Sequence, residues 1–191
     1  MALQPLDATR VNPLEGGPSF SLSNRLLRAT WNLSWAVLAS WTPPQMRFLR
    51  RFLLKLFGAQ LGEDCDVRGS ARVWYPPHLQ MADRALLAER VICYNMAQIK
   101  LGRAALVSQG AHLCAGSHDI TSATFQLTAS PITIGAGAWI AAEAFVGPGV
   151  EVGEGAVLGA RGVAFRSLDP WTVYSGNPAK ALKPRVLRSD R

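Results

Sequence analysis

Charge, aromatic rings and cysteine are all scarce in this 191-residue chain. Only 17% of its residues are charged, against 49% hydrophobic. That balance excludes a disordered chain and fits one ordered core with appendages. Three cysteines occur, Cys65, Cys93 and Cys114. An odd, sparse set without framework spacing excludes a disulfide scaffold and reads as free thiols in a reducing compartment. Nowhere is there the clean run of roughly 18 apolar residues that a membrane span needs. The opening MALQPLDATRVNPLEGGP lacks a basic region followed by an apolar one, so no secretory signal is expected. A cytoplasmic protein is the expectation.

Acids are absent altogether from residues 22–57. The net charge is +5 over residues 1–58, −3 over 59–160 and +5 over 161–191. A nucleic-acid binder carries its basic, aromatic face on the folded core. Here the middle is mildly acidic and only the ends are basic. No nucleic-acid partner is expected; a phosphate-bearing ligand or a membrane surface is.

What the chain has is a beat. Apolar residues recur six apart at Leu61, Val67 and Val73, at Met81, Leu87 and Cys93, and at Leu101, Val107 and Leu113. They resume at Ile134, Ile140, Val146, Val152, Leu158 and Ala164. Small residues follow at the next position (Gly62, Gly102, Gly135, Gly153) and again four residues on (Ala85, Ala105, Ala138, Ala156). A fixed period is the mark of a solenoid. Each hexapeptide gives a short strand and a tight corner, and three make a triangular turn with the apolar residue inside. The small corner residues are expected to supply positive φ. The fifteen units predict a mostly β protein: a parallel β-helix of about five coils over residues 59–168. A sandwich is disfavoured because its strands alternate with period two.

The flanks read as caps, which a solenoid needs at both ends. Pro43 and Pro44 divide residues 22–57 into two helices. The second puts Met46, Leu49, Phe52, Leu53 and Leu56 on one face and Arg47, Arg50, Arg51 and Lys55 on the other. With Trp31, Trp35 and Trp41 nearby, the pair either closes the first coil or lies in a membrane interface. Residues 1–58 are thus a tail and helical cap. Residues 169–191 are expected to close the other end with a short basic helix over AKALKPRVLR.

The beat stops once for long, between Leu113 and Ile134, and His118 stands where it stops. A polar loop over 118–131, thrown from the prism wall, is an expected binding site. A neutral imidazole there can accept a proton near pH 7. Asp119 either positions it or is a turn residue.

SHD at 117–119, then PITIGAGAWIAAEAFVGPGVEVGEGAVLGA, then DPWTVYSGNPAK resemble the left-handed parallel β-helix acyltransferases. The subgroup is that of galactoside, maltose and colanic-acid-biosynthesis acetyltransferases. RFLLKLFGAQLGEDC and VWYPPHLQM are similar to the colanic acid type, and the likeness spans roughly residues 20–185. It implies the left hand of the helix and an acetyl-CoA-dependent O-acetyltransferase with His118, helped by Asp119, as general base. It implies that Trp139, Ala142 and Ala160 line the pantetheine channel and that Arg166, Lys180 and Lys183 meet the CoA phosphates. It implies as well that Tyr94 and Asn95 occupy an acceptor-binding position. The resemblance also implies a homotrimer with sites between prisms, and no metal. Three departures favour a large, lipid-linked saccharide acceptor at the inner face of the membrane. They are Asp119 in place of a proline, Ala141-Ala142 in place of Gly and Ser, and the long helices. The alternatives are a γ-type zinc carbonic anhydrase, using His78, His112 and His118, and a non-catalytic scaffold.

Overall fold

The structure, a computed structural model, describes residues 5–11 and 13–187. Two helices precede the solenoid, α1 (Leu22–Leu38) and α2 (Arg47–Leu56). The Ser21 side chain caps α1 by accepting the Asn24 N–H.

The first coil is β1 (Gln60–Leu61), β2 (Asp66–Val67) and β3 (Arg72–Val73). The second is β4 (Leu79–Met81), β5 (Leu86–Leu87) and β6 (Ile92–Tyr94). The third is β7 (Ile99–Leu101), β8 (Leu106–Val107) and β9 (His112–Cys114). A hairpin follows, β10 (Gly116–His118) and β11 (Leu127–Ala129). Then come β12 (Ile132–Ile134), β13 (Trp139–Ile140) and β14 (Phe145–Val146), and β15 (Glu151–Val152), β16 (Val157–Leu158) and β17 (Val163–Ala164). A partial sixth coil holds Leu168, bridged to Val152, and β18 (Thr172–Ser175), which pairs with β19 (Lys180–Pro184). Three sheets result. The first face is β1-β4-β7-β12-β15. The second runs from β2 through β5, β8, β13, β16 and β18 to β19. The third is β3-β6-β9-β14-β17. Coil pairs with coil in parallel, in register.

The predicted inward residues are the inward residues. Leu87, Val107, Ile140 and Leu158 stack in register inside the second face, all fully buried. Each such side chain is worth about 1.5–3 kcal/mol when buried, and a two-residue strand has little else to hold it. The alanines four residues on, such as Ala105 and Ala138, are buried too.

The corner chemistry differs from the expectation. Positive φ falls on the third corner residue, and in this chain that residue is mostly not glycine: Asp64, Arg84, Ala104, Glu143 and Arg161 all lie near +50 to +60°. The glycine at the first corner position is needed for another reason. A Cβ on Gly102 would sit 2.5 Å from the Ala136 nitrogen, and one on Gly135 2.6 Å from the Glu154 nitrogen. The next coil passes too close for a side chain.

The helices close the open end, and their inward faces show why the cap is rich in donors. In the second coil the carbonyls of Leu87 and Cys93 accept the N–H groups of Arg68 and Trp74 from the coil before. Val67 and Val73 have no coil before them. Arg50 Nε donates to the Val67 carbonyl at 2.7 Å, and Trp31 Nε1 to the Val73 carbonyl at 2.7 Å. Trp35 Nε1 donates to the Gly69 carbonyl at 3.0 Å. Carbonyls without partners call for N–H donors, and acids could not serve. Arg50 therefore points inward, against the expectation of a solvated basic face. It is fully buried, pairs with Asp66 at 3.0 Å and also donates to Thr42, Pro43 and Pro44. Of the second helix's predicted apolar face, Leu53 is buried but Phe52 and Leu56 face solvent. Trp31 and Trp35 serve the cap, and Trp41 is exposed.

The expected C-terminal helix is also a correction: Lys180–Pro184 is a strand. Pro178 and Pro184 bracket too few residues to nucleate a helix. The free edge of β18 offers a ladder instead, and the chain turns back on it through Gly176 at φ +95°. Residues 169–187 thus extend the solenoid; 188–191 lie outside the described residues.

Corner roles separate in a urea melt. Gly102→Ala is expected to cost about 1–3 kcal/mol by forcing the coils apart. Ala104→Gly is expected to raise stability by about 0.5–1 kcal/mol, because relief of the left-handed strain exceeds the added chain entropy.

Candidate active site

The third-to-first corner carries the excursion. Ala115 is buried, and the Ser130 N–H closes the base on its carbonyl at 3.0 Å. Between them β10 and β11 pair antiparallel, His118 opposite Leu127. The expected loop is thus an ordered hairpin that leaves the wall at Gly116, two residues before His118. Glycine is required there: a Cβ would meet the Met96 sulfur and the Tyr94 ring.

His118 is exposed on the hairpin. Its Nδ1 lies 2.7 Å from the Phe125 carbonyl. A carbonyl only accepts, so Nδ1 carries the proton and the Nε2 lone pair is free to act as a base. Phe125 holds that carbonyl from a left-handed conformation, φ +48°, of the kind found where backbone strain serves a site. Asp119 does not orient the imidazole. Its carboxylate accepts the Thr121 N–H at 2.9 Å and hydroxyl at 2.6 Å. These bonds hold it below the usual carboxylate range. The geometry gives it the part of a turn residue.

Gln126 was not foreseen. Its Oε1 accepts the Ala8 N–H at 2.7 Å and its Nε2 donates to the Leu6 carbonyl at 3.2 Å. The N-terminal segment is thereby strapped to the His118 hairpin, next to Phe125, whose carbonyl His118 meets. Contacts spanning 118 and 120 residues leave no local signal in sequence.

Tyr94 stands at the hairpin's base. Trp74 meets it edge-on at 5.5 Å, and the Arg28 guanidinium lies 4.3 Å over Trp74. Burial pushes the Tyr94 phenol up. Asn95 is a correction. It is fully buried, and its amide bonds the Tyr75 backbone on both sides, at 2.9 and 2.8 Å. It staples the corner and cannot reach an acceptor.

The predicted cofactor residues sit elsewhere. Trp139 lies on the second face, 41% exposed, its Nε1 donating to Ser108 Oγ at 2.9 Å. Ala142 and Ala160 stack one coil apart on the second-to-third corner, beside the Arg161–Glu143 pair at 2.6 Å. Lys180 and Lys183 are exposed on β19, the outermost strand of the second face. Arg166 stands apart, exposed on the third-to-first corner beyond β17. Arg185 is a structural residue that sequence reasoning missed: it donates to the Gly137 and Gly155 carbonyls, pinning the chain end across two coils. His118 and Tyr94 thus both belong to the third-to-first corner of one chain, a different corner from that of Ala142 and Ala160.

The remaining histidines do not join His118. His78 bonds the Met96 carbonyl through Nδ1 at 2.8 Å, and His112 packs edge-on against Phe145 at 5.3 Å. Burial lowers the pKa of both. Among the described residues no three His, Cys, Asp or Glu side chains form a metal-binding group. Burial pushes the Cys93 thiol up to about 12. Cys114 Sγ donates to the Gly116 carbonyl at 3.3 Å, a packing contact at the hairpin base.

A parallel β-helix with a histidine hairpin at one corner is the build of the hexapeptide-repeat acyltransferases. No protein-family model matches the chain, but individual proteins do. It is 41% identical over 157 residues to a protein of Escherichia coli K12 named as the colanic acid biosynthesis acetyltransferase WcaF, covering 81% of this chain and 86% of the relative. Among solved structures, a maltose O-acetyltransferase from Clostridium difficile superposes with a TM-score of 0.78 at 20% identity, over 87% of this chain and 90% of that one. A galactoside acetyltransferase in complex with coenzyme A gives 0.69 at 19% identity, over 85% and 80%. The chain belongs to the hexapeptide-repeat acetyltransferases, in the family of the colanic acid biosynthesis acetyltransferase. Its fold is the left-handed β-helix of those enzymes, and it is an acetyltransferase.

The strap predicts a specific defect. In Gln126→Ala the hairpin loses its tie to Leu6 and Ala8, leaving a buried N–H unpaired at a cost of about 1–3 kcal/mol. Limited proteolysis within residues 119–126 is expected to speed up several-fold. Acetyl transfer should fall while CoA binding, read by calorimetry, is unchanged.

Proposed function

We propose that this enzyme moves the acetyl group of acetyl-CoA to a sugar hydroxyl in surface-glycan biosynthesis, with His118 as general base. The observation that carries the proposal is the Nδ1–H bond from the exposed His118 to the Phe125 carbonyl, which in the neutral imidazole makes Nε2 the nitrogen with the lone pair. In the reaction Nε2 takes the proton of the acceptor hydroxyl as that oxygen attacks the thioester carbonyl. The oxyanion that forms is stabilised by a backbone N–H of the groove. Its collapse breaks the carbon–sulfur bond. The CoA thiolate leaves and takes the proton from the imidazolium. Both substrates are held together, so positioning supplies much of the rate and no acyl-enzyme is needed.

Trp139 and the small residues Ala142 and Ala160 let the pantetheine arm lie against the backbone, and Lys180, Lys183 and Arg166 meet its phosphates. Tyr94, beside the hairpin, faces the acceptor. A saccharide acceptor is supported by the relative's name and by structural neighbours named for maltose and galactoside. The acid-free helical cap supports a lipid-linked saccharide and work at the inner face of the membrane.

The enzyme acts as a homotrimer with each site between two prisms. Support comes from topology: the base and the alanine row sit on different corners of one rigid prism. Closed threefold symmetry sets one corner of a subunit against another corner of its neighbour.

In His118→Ala, turnover is expected to fall about 10²–10⁴-fold while coenzyme A still binds; loss of CoA binding instead would make His118 structural. Cells without the protein should lose O-acetyl groups from surface polysaccharide, and unchanged acetylation would exclude that acceptor. Shared sites predict complementation. His118→Ala and Ala160→Trp chains, each inactive, should recover about one quarter of the wild-type rate when co-assembled in equal amounts. No recovery would place the whole site in one chain.

A further inference from the structure

α1 and α2 each have two faces, and the cap uses only one. Trp31, Trp35, Arg50, Leu53 and Leu54 turn toward the first coil and are buried. The opposite faces are apolar as well. On α1, Leu22, Leu26, Leu33 and Val37 are between 59% and 66% exposed. Their spacings of four, seven and four residues put them on one stripe. On α2, Phe48, Phe52 and Leu56 are between 62% and 67% exposed and follow one another every fourth residue. Trp41, 67% exposed, lies on the link between the helices. A water-soluble surface rarely leaves two such stripes bare on adjoining elements.

We infer that these two stripes are a docking surface for a bilayer that carries anionic lipid. The helices and their link carry charge of one sign, with no acid from residue 16 to residue 62, and the exposed Asp64 beside α2 is paired with Arg47 at 2.9 Å. Lys55 lies seven residues after Phe48, within the α2 stripe, and Arg25 borders the α1 stripe. Both are exposed, and neither forms an ion pair among the described residues. At a bilayer their stems follow the apolar stripe while their charged heads reach the phosphates. In a contact between two like faces of this protein, basic residues of both copies would be brought together with no helix carboxylate to offset them. Trp41 suits the headgroup level, where indole rings concentrate. No helix among the described residues is long and apolar enough to cross a membrane, so the contact is one of lying on the surface, not of spanning it. The inference deepens the membrane placement proposed above and is independent of which hydroxyl is acetylated.

Flotation of the full chain with vesicles of phosphatidylcholine alone, and of an equimolar mixture with phosphatidylglycerol, tests it. The chain should float with the mixed vesicles, weakly with the neutral ones, and less as salt is raised. Phe48→Ser with Phe52→Ser is expected to lower partitioning at least about tenfold, with melting temperature, oligomeric mass and CoA binding unchanged. No flotation with anionic vesicles by folded, CoA-binding protein overturns the inference, and so does a variant that floats like the parent. A changed oligomeric mass in the variant assigns the stripes to a contact between copies and overturns it too. Loss of flotation with acetyl transfer intact, or the reverse, separates this surface from the active-site reading.

Discussion

A strand of two or three residues cannot stand alone, and most strands of this protein are no longer than that. Each persists because the coils before and after it hydrogen-bond to its backbone and stack on its one inward side chain. That mutual dependence shapes everything else. It fixes which position of each hexapeptide is apolar, because only that side chain points along the stack. It forbids a Cβ where one corner passes under the next. It also makes both ends a problem, since the first and last coils have only one neighbour. The cap therefore delivers indole and guanidinium N–H groups to carbonyls that no strand reaches. At the far end, β19 folds back on β18 and Arg185 clips two corners.

The sequence made this core readable because its period is physical. All fifteen positions picked out by spacing lie in strands, and thirteen of them close their strand, Cys93 being followed by Tyr94 in β6 and Leu113 by Cys114 in β9. The long break marks the hairpin that carries His118. What stayed illegible depended on neighbours far along the chain. A helical wheel places Arg50 with the other basic residues and cannot show that a carbonyl of β2 awaits it. The first-position glycines looked like turn residues; only the packing of the next coil shows that they are clearance. Conversely, the position that takes positive φ holds Asp, Arg, Ala or Glu more often than Gly, a mixture without a pattern that composition could reveal. The C-terminal segment had helical residues, but a bare sheet edge one turn away decided its conformation.

The site was legible as a histidine and not as a mechanism. Spacing isolated His118. Its working tautomer depends on the Phe125 carbonyl seven residues on, and that contact exists only because the hairpin turns through a left-handed phenylalanine. Asp119, the adjacent acid, was the natural partner to suspect. Asp119 lies just past the end of β10, where its carboxylate is taken up by the Thr121 N–H and hydroxyl.

A solenoid also limits how a site can be assembled. A globular enzyme folds distant segments over one another, but a prism wall offers each residue a fixed face and height. Side chains on different corners of one prism stay apart whatever their sequence. A β-helix enzyme that needs a base and a long, thin cofactor channel can build each well on a different corner, where a hairpin can project and small residues can stack. In the proposed homotrimer, uniting them falls to a second copy. On this view the hairpin is a part of the neighbouring subunit's site carried on a separate chain. Gln126, which ties that hairpin to Leu6 and Ala8, fixes the angle at which the proposed trimer would present it.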